Sequence, residues 1–220
     1  MKTTVVCGLL GSGKTTFIRN FVKGRTEKTV VLVNDFGEAG IDGEIFSAGG
    51  IESVELPSGC VCCTLKFDLI TTIGRIMKEF APEHLVIEPS GVASPSGVLE
   101  ALESAGAGPA SVVCIVDAAE FTELQDSGMY GSFFEDQITN ADVVLVNKTD
   151  LAVEEKIIET VRRIESVNPR AIVLRSVNAE APKASFPAGE RPALERLNRG
   201  AGVRGQGDHI HFETLSLKLS

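Results

Sequence analysis

The chain has 220 residues, 43% hydrophobic and 23% charged, with thirty acidic against twenty-one basic side chains and a net charge of −9. That length suits one domain with room for an appendage, and the acidic excess argues against nucleic acid or an anionic membrane as the main partner. No apolar run approaches the ~18 residues of a membrane span and the N-terminus lacks a signal-peptide pattern, so the expectation is a cytoplasmic protein. Five cysteines, three of them crowded at Cys60, Cys62 and Cys63, do not read as a secreted disulfide framework.

Thr3 to Cys7 reads as a short buried strand, and Thr16 to Lys23 as a helix with Phe17, Phe21 and Val22 inward. Between them, Gly8-Leu9-Leu10-Gly11-Ser12-Gly13-Lys14-Thr15 fits the phosphate-cradling pattern G-x-x-x-x-G-K-[ST]. Gly8, Gly11 and Gly13 clear the way for backbone N–H groups to converge on phosphate oxygens at a helix N-terminus, with Ser12 inside the loop. Lys14 then neutralises the β/γ-phosphates, Thr15 offers a hydroxyl to Mg²⁺ and Thr16 reaches the α-phosphate. A plain glycine turn before a helix is the alternative.

Thr29 to Val33 is a continuous apolar run suited to a parallel strand buried on both faces. The acidic, glycine-rich stretch from Asn34 to Gly43 follows, read as a segment closing on Mg²⁺ and the γ-phosphate or as a plain surface loop. Ile51 to Leu56 reads as a strand, and about Phe67 to Phe80 as a helix with Leu69, Ile70, Ile73, Ile76, Met77 and Phe80 on one face, closed by Pro82. Leu85 to Ile87 is a strand that ends in Glu88-Pro89-Ser90-Gly91. Ser111 to Val116 is the next, ending at Asp117. A helical stretch around Phe133 to Asn140 leads to the strand Val143 to Val146, then to Asn147-Lys148-Thr149-Asp150. Glu154 to Val167 carries Ile157, Ile158, Val161 and Ile164 at helical spacing, and Ala171 to Leu174 returns to strand. This alternation predicts an α/β fold with a mainly parallel sheet covered by helices on both faces, over residues 1–178. Residues 179–220, rich in proline and glycine, read as a loop-rich extension with a short helix near Ala193 to Asn198 and a candidate terminal strand.

The chemistry-bearing residues sit at predicted strand ends, where α/β folds bind ligands. Asp150 can accept hydrogen bonds from guanine N1–H and N2–H₂, for which adenine has no counterpart; Asn147 can meet the base's O6/N7 edge, and the Lys148 stem can pack over the ring. Glu88 can hold Mg²⁺, through water, and the Gly91 N–H can meet the γ-phosphate; capping of the following helix is the alternative. Asp35, Glu38 and Asp42 supply further carboxylates, and the sequence does not say which reaches the magnesium. Cys60, Cys62 and Cys63 offer up to three thiolates for Zn²⁺, Cu⁺ or Co²⁺ in an open site that needs a fourth ligand; ordinary loop cysteines or a redox pair are the alternatives. Cys7 and Cys114 read as small core residues and His84 as structural, while His209 and His211 read as a solvated tail that could also ligate metal.

Taken together, these residues resemble the CobW-type metallochaperone GTPases, within the P-loop class that includes the hydrogenase and urease nickel-insertion GTPases. The resemblance covers about Met1 to Asn178. It is carried by Gly8 to Thr16, by Asn34-Asp35-Phe36-Gly37 with Asp42, by Gly59-Cys60-Val61-Cys62-Cys63, by Glu88 to Pro95 and by Asn147 to Asp150. It implies GTP/GDP and Mg²⁺ as ligands, the magnesium held by Thr15, Glu88 and the carboxylates Asp35 and Asp42. It also implies Lys14, Glu88 and Gly91 in slow GTP hydrolysis, and a transition metal, Zn²⁺ or Co²⁺, on Cys60, Cys62 and Cys63 with help from Glu38. The implied partners are a client metalloprotein or corrinoid protein and a second copy of the chain in a homodimer. The pattern departs in Asp35, Ser58 and Ser90, where the family usually has Glu, Asn and Thr, and in ending near the start of the usual C-terminal domain. No glutamine follows Gly91 to orient water, which predicts slow intrinsic turnover. The rival functions are a nucleotide-dependent binding module that holds a corrinoid protein in a chosen state, and a small-molecule P-loop kinase.

Overall fold

A computed structural model describes residues 1–33, 52–55, 64–91, 93–128 and 131–181. Seven strands, β1 (Lys2–Cys7), β2 (Thr29–Val33), β3 (Glu52–Glu55), β4 (His84–Glu88), β5 (Ala110–Asp117), β6 (Val143–Asn147) and β7 (Ile172–Arg175), pair in parallel in the order β3-β2-β4-β1-β5-β6-β7. Among the described residues six helices accompany them: α1 (Lys14–Val22), α2 (Thr64–Glu79), α3 (Pro95–Ser104), α4 (Phe121–Ser127), α5 (Gly131–Thr139) and α6 (Glu154–Val167).

Strands β2, β4, β5 and β6 are buried at every position because their side chains alternate between two covered faces. On β5, Val112, Cys114 and Val116 join a core with Ile73 and Ile76 of α2, Leu99 and Leu102 of α3, Phe121 of α4, Phe134 and Ile138 of α5 and Ile157 and Ile164 of α6. Val113 and Ile115 face the other way, onto Phe17, Ile18 and Phe21 of α1. Burial of a side chain such as Phe17 or Ile18 stabilises the fold by roughly 1.5–3 kcal/mol. Ala179 and Ala181 pack on this second face, so the chain is still part of the body just beyond residue 178. The expected helix near Ala193 and the terminal strand lie outside the described residues.

The structure departs from the sequence reading at several elements. The predicted helix over Thr16 to Lys23 begins earlier, at Lys14, so its open N-terminus belongs to the glycine loop. The helix expected to follow the Glu88 loop was given no bounds and is α3, while α4 was not anticipated. Ile158, placed on the apolar face of α6 by spacing, is 52% exposed, because the helix meets the sheet along Ile157 and Ile164.

The strand order creates the site. β1 lies between β4 and β5, so the turn after Cys7 emerges between Glu88, at the end of β4, and Asp117, at the end of β5. Asn147 ends β6 directly opposite Asp117 in register. This reversal of chain progression is where an open parallel sheet leaves a ligand crevice.

Candidate nucleotide site

Gly13 caps α1 in a left-handed conformation at φ 108° and offers no side-chain cap, which leaves the first-turn N–H groups directed at the loop. A Cβ there would lie 2.5 Å from Asn147 Nδ2, so only glycine fits. Lys14 is 7% exposed, and its Nζ donates to the Leu9 carbonyl at 3.2 Å, folding the ammonium over the loop. The Ser12 hydroxyl is buried without a hydrogen-bond partner among the described residues, as expected of a group whose partner is a ligand.

Thr15 and Glu88 come together as expected. The Thr15 hydroxyl lies 3.1 Å from Glu88 Oε1 and 3.3 Å from Oε2, donating to the carboxylate. One hydroxyl and one carboxylate, close together beside a phosphate loop, are the hard oxygen donors that Mg²⁺ accepts while keeping waters and phosphate oxygens in its remaining positions. The residues therefore fit the ion. Gly91 follows on the same loop. A Cβ on it would lie 2.8 Å from the Leu10 backbone nitrogen, so the loop is pressed against the phosphate-binding turn.

Across the site, Asn147 is a structural clamp. Its Nδ2 donates to the Ser12 carbonyl at 2.9 Å and its Oδ1 accepts the Ala179 N–H at 2.8 Å. Lys148 is left-handed, at φ 58°, and its Nζ lies 2.6 Å from Asp117 Oδ2. Thr149 binds the Ser176 carbonyl through both its N–H and its hydroxyl. Asp150 is exposed, its carboxylate open to a ligand.

Two contributors were not singled out in the sequence. Asp117 holds Lys148 and also accepts the Ala119 N–H at 2.8 Å; a carboxylate at the end of an apolar strand was the available signal. The loop after β7 carries consecutive left-handed residues, Asn178 and Ala179, with the Asn178 carbonyl held by Asn20 Nδ2 at 3.0 Å. An asparagine after a strand, tolerant of that backbone, was the signal there.

His84 and the two strand cysteines are placed as expected. His84 is buried between Thr4, 2.9 Å from Nε2, and Glu27, 3.1 Å from Nδ1. Burial pushes its pKa down, partly opposed by Glu27, while the hydrogen bond from His84, with those from Arg25 and Lys2, lowers Glu27 to about 2. Cys7 and Cys114 are paired in register and buried, and burial raises the Cys7 thiol pKa. Asp35, Glu38, Asp42, Cys60, Cys62 and Cys63 lie outside the described residues, as do His209 and His211. Among the described residues no cluster of three His, Cys, Asp or Glu side chains could hold a metal, and no helix is long and apolar enough to cross a membrane.

A parallel sheet with a glycine-rich turn, a lysine folded over it and a threonine–glutamate pair at its switch point defines a P-loop nucleotide-binding protein. More narrowly, the chain belongs to the CobW/HypB/UreG family, whose nucleotide-binding domain matches residues 2–175. It is 32% identical over 179 residues to the zinc chaperone CobW of Sinorhizobium sp, covering 67% of this chain and 51% of that protein. It is 34% identical over 160 residues to the zinc chaperone YeiR of Escherichia coli, covering 70% and 48%. The chain thus spans about half the length of these curated relatives. In fold it is similar to the hydrogenase maturation factor HypB of Archaeoglobus fulgidus, at TM-score 0.58 and 21% identity over 90% of this chain and 89% of that one. The Zn(II)-bound YjiA GTPase of E. coli aligns at TM-score 0.59 and 20% identity over 86% and 62%.

Proposed function

We propose that this chain acts as a zinc metallochaperone: a cytoplasmic, Mg²⁺-dependent, slowly hydrolysing GTPase that delivers the metal to a client metalloprotein. The observation that carries the nucleotide reading is the Thr15–Glu88 pair beside the loop closed by Lys14. Lys14 binds the β/γ-phosphates, first-turn N–H groups of α1 hold phosphate oxygens, and Gly91 presents its N–H to the γ-phosphate. Thr15 and Glu88 hold Mg²⁺, which neutralises charge developing on the transferred phosphoryl group; Asp35 and Asp42 are further candidates for its surroundings. Asp150 reads the guanine edge, while Asn147 and Lys148 support that reading by fixing the loops on either side.

Zinc is favoured over cobalt or a corrinoid by the relatives, which are named zinc chaperones. Its proposed ligands are Cys60, Cys62 and Cys63 with Glu38; the ion is cargo, so its affinity must differ between the GTP and GDP states for hydrolysis to drive release. A homodimer belongs to the same proposal.

Guanine selectivity is the direct test. Titration of the native chain with GTP and ATP in Mg²⁺ should give at least about a 100-fold preference for GTP, and Asp150→Ala should abolish it, since a site built around paired donors discriminates strongly. Equal binding of ATP, or a preference that survives Asp150→Ala, would favour the small-molecule kinase.

A further inference from the structure

Helix α5 lies behind the loop that follows Glu88, and its buried Gln137 and half-buried Asp136 bond to that loop. Gln137 is 2% exposed. Its Nε2 donates to the Gly91 carbonyl at 3.0 Å and lies 3.4 Å from the Ala93 carbonyl, and its backbone carbonyl faces the Cys7 thiol at 3.9 Å. A buried carboxamide needs acceptors for its two N–H groups, and the loop supplies both. The neighbouring Asp136 accepts the Ser94 hydroxyl and, at 3.1 Å, the Ser96 N–H, while Asn140 Nδ2 braces its other oxygen at 2.9 Å.

We infer that Gln137 is a positioning residue for Gly91, setting how the loop meets a γ-phosphate. The inference rests on the GTPase reading. Gly91 is constrained at two points: the Leu10 backbone fills the space beside its α-carbon, where a Cβ would lie 2.8 Å from the Leu10 nitrogen, and its carbonyl is held from α5. With both in place the glycine cannot rotate freely, so its N–H is oriented before nucleotide arrives and no reorganisation is needed when the γ-phosphate does. Without the Gln137 bonds one of these points is lost, and glycine has more rotational freedom than any other residue. Asp136 fixes Ser94 and Ser96 at the start of α3, so α5 holds both Gly91 and the entry to that helix.

GDP lacks the γ-phosphate and does not read Gly91. Gln137→Met, which keeps the volume but removes both donors, should therefore leave GDP affinity within about twofold of the native chain and lower single-turnover GTP hydrolysis about tenfold. Gln137→Asn, too short to span the gap, should behave the same way and serves if the methionine variant does not fold. A merely structural role would lower GDP affinity and hydrolysis together, and that pattern in the folded variants would overturn the inference. So would native hydrolysis in either variant. The native chain is the control: if it neither prefers GTP nor hydrolyses it, the GTPase reading itself falls, whereas a hydrolysing native chain with insensitive Gln137 variants removes the positioning role alone.

Discussion

Asn147 joins the phosphate loop to the C-terminal side of the sheet: its side-chain N–H reaches the Ser12 carbonyl at 2.9 Å, and its side-chain oxygen receives the Ala179 N–H at 2.8 Å. The residue is 3% exposed, so neither partner has water as a ready substitute. Asn147→Ala should cost about 1–3 kcal/mol of stability, counted as two buried hydrogen bonds. It should also weaken both GTP and GDP, because the glycine loop and the loop after β7 lose their common anchor. Urea unfolding and nucleotide titration on the same variant check both effects; a loss of nucleotide affinity with native stability would make Asn147 a ligand contact alone.

Glu88 is 7% exposed and lies within hydrogen-bond reach of Thr15 through both carboxylate oxygens. Glu88→Gln preserves shape and removes the charge. Hydrolysis should fall by at least about 100-fold, and the dependence of nucleotide affinity on Mg²⁺ should flatten, since a neutral amide is a poor partner for a divalent cation. Mg²⁺ titration at fixed GTP reads the flattening. Unchanged Mg²⁺ dependence would return Glu88 to a helix-capping role.

Much of this site was legible because its signals are local. The glycine loop has fixed spacing, Glu88 and Asn147 end apolar strands, and continuous apolar runs announce a sheet buried on both faces. Long-range relationships were not. Gln137 meets Gly91 across 46 positions and Asn147 meets Ser12 across 135, and no window of sequence contains either pair. The bounds of helix α3 were hidden by Gly97 and the serines around it, although Ser94 followed by Pro95 at the first helical position is a start signal. Helix α4 is seven residues long with Phe121 alone buried, too short for periodicity to show. Ile158 was misplaced because spacing reports a helix face but not how wide a strip its neighbour covers.

The Glu27–His84–Thr4 chain predicts how stability responds to acid. His84 is buried and its pKa is depressed below the ordinary 6.5, so below that value the unfolded chain takes up a proton that the folded chain refuses, and stability falls. Glu27, held at about 2 against an ordinary 4.5, adds stability that is full above 4.5 and is lost as pH falls toward 2. The two effects act in sequence, histidine first. Urea midpoints measured from pH 7.5 down to 5 should therefore decline, and His84→Gln should flatten that limb; an unchanged slope in the variant would assign the acid sensitivity elsewhere.

In the proposed cycle nucleotide state controls metal affinity. The most direct measurement is calorimetric titration of Zn²⁺ into the chain loaded with Mg²⁺ and either GDP or a non-hydrolysable GTP analogue, repeated with Cys62→Ser. Zn²⁺ affinity should differ at least about tenfold between the two nucleotide states, a coupling of about 1.4 kcal/mol or more, and the difference should be lost in the variant. Equal Zn²⁺ affinity in both states, or a difference that persists in Cys62→Ser, would contradict the proposed cycle.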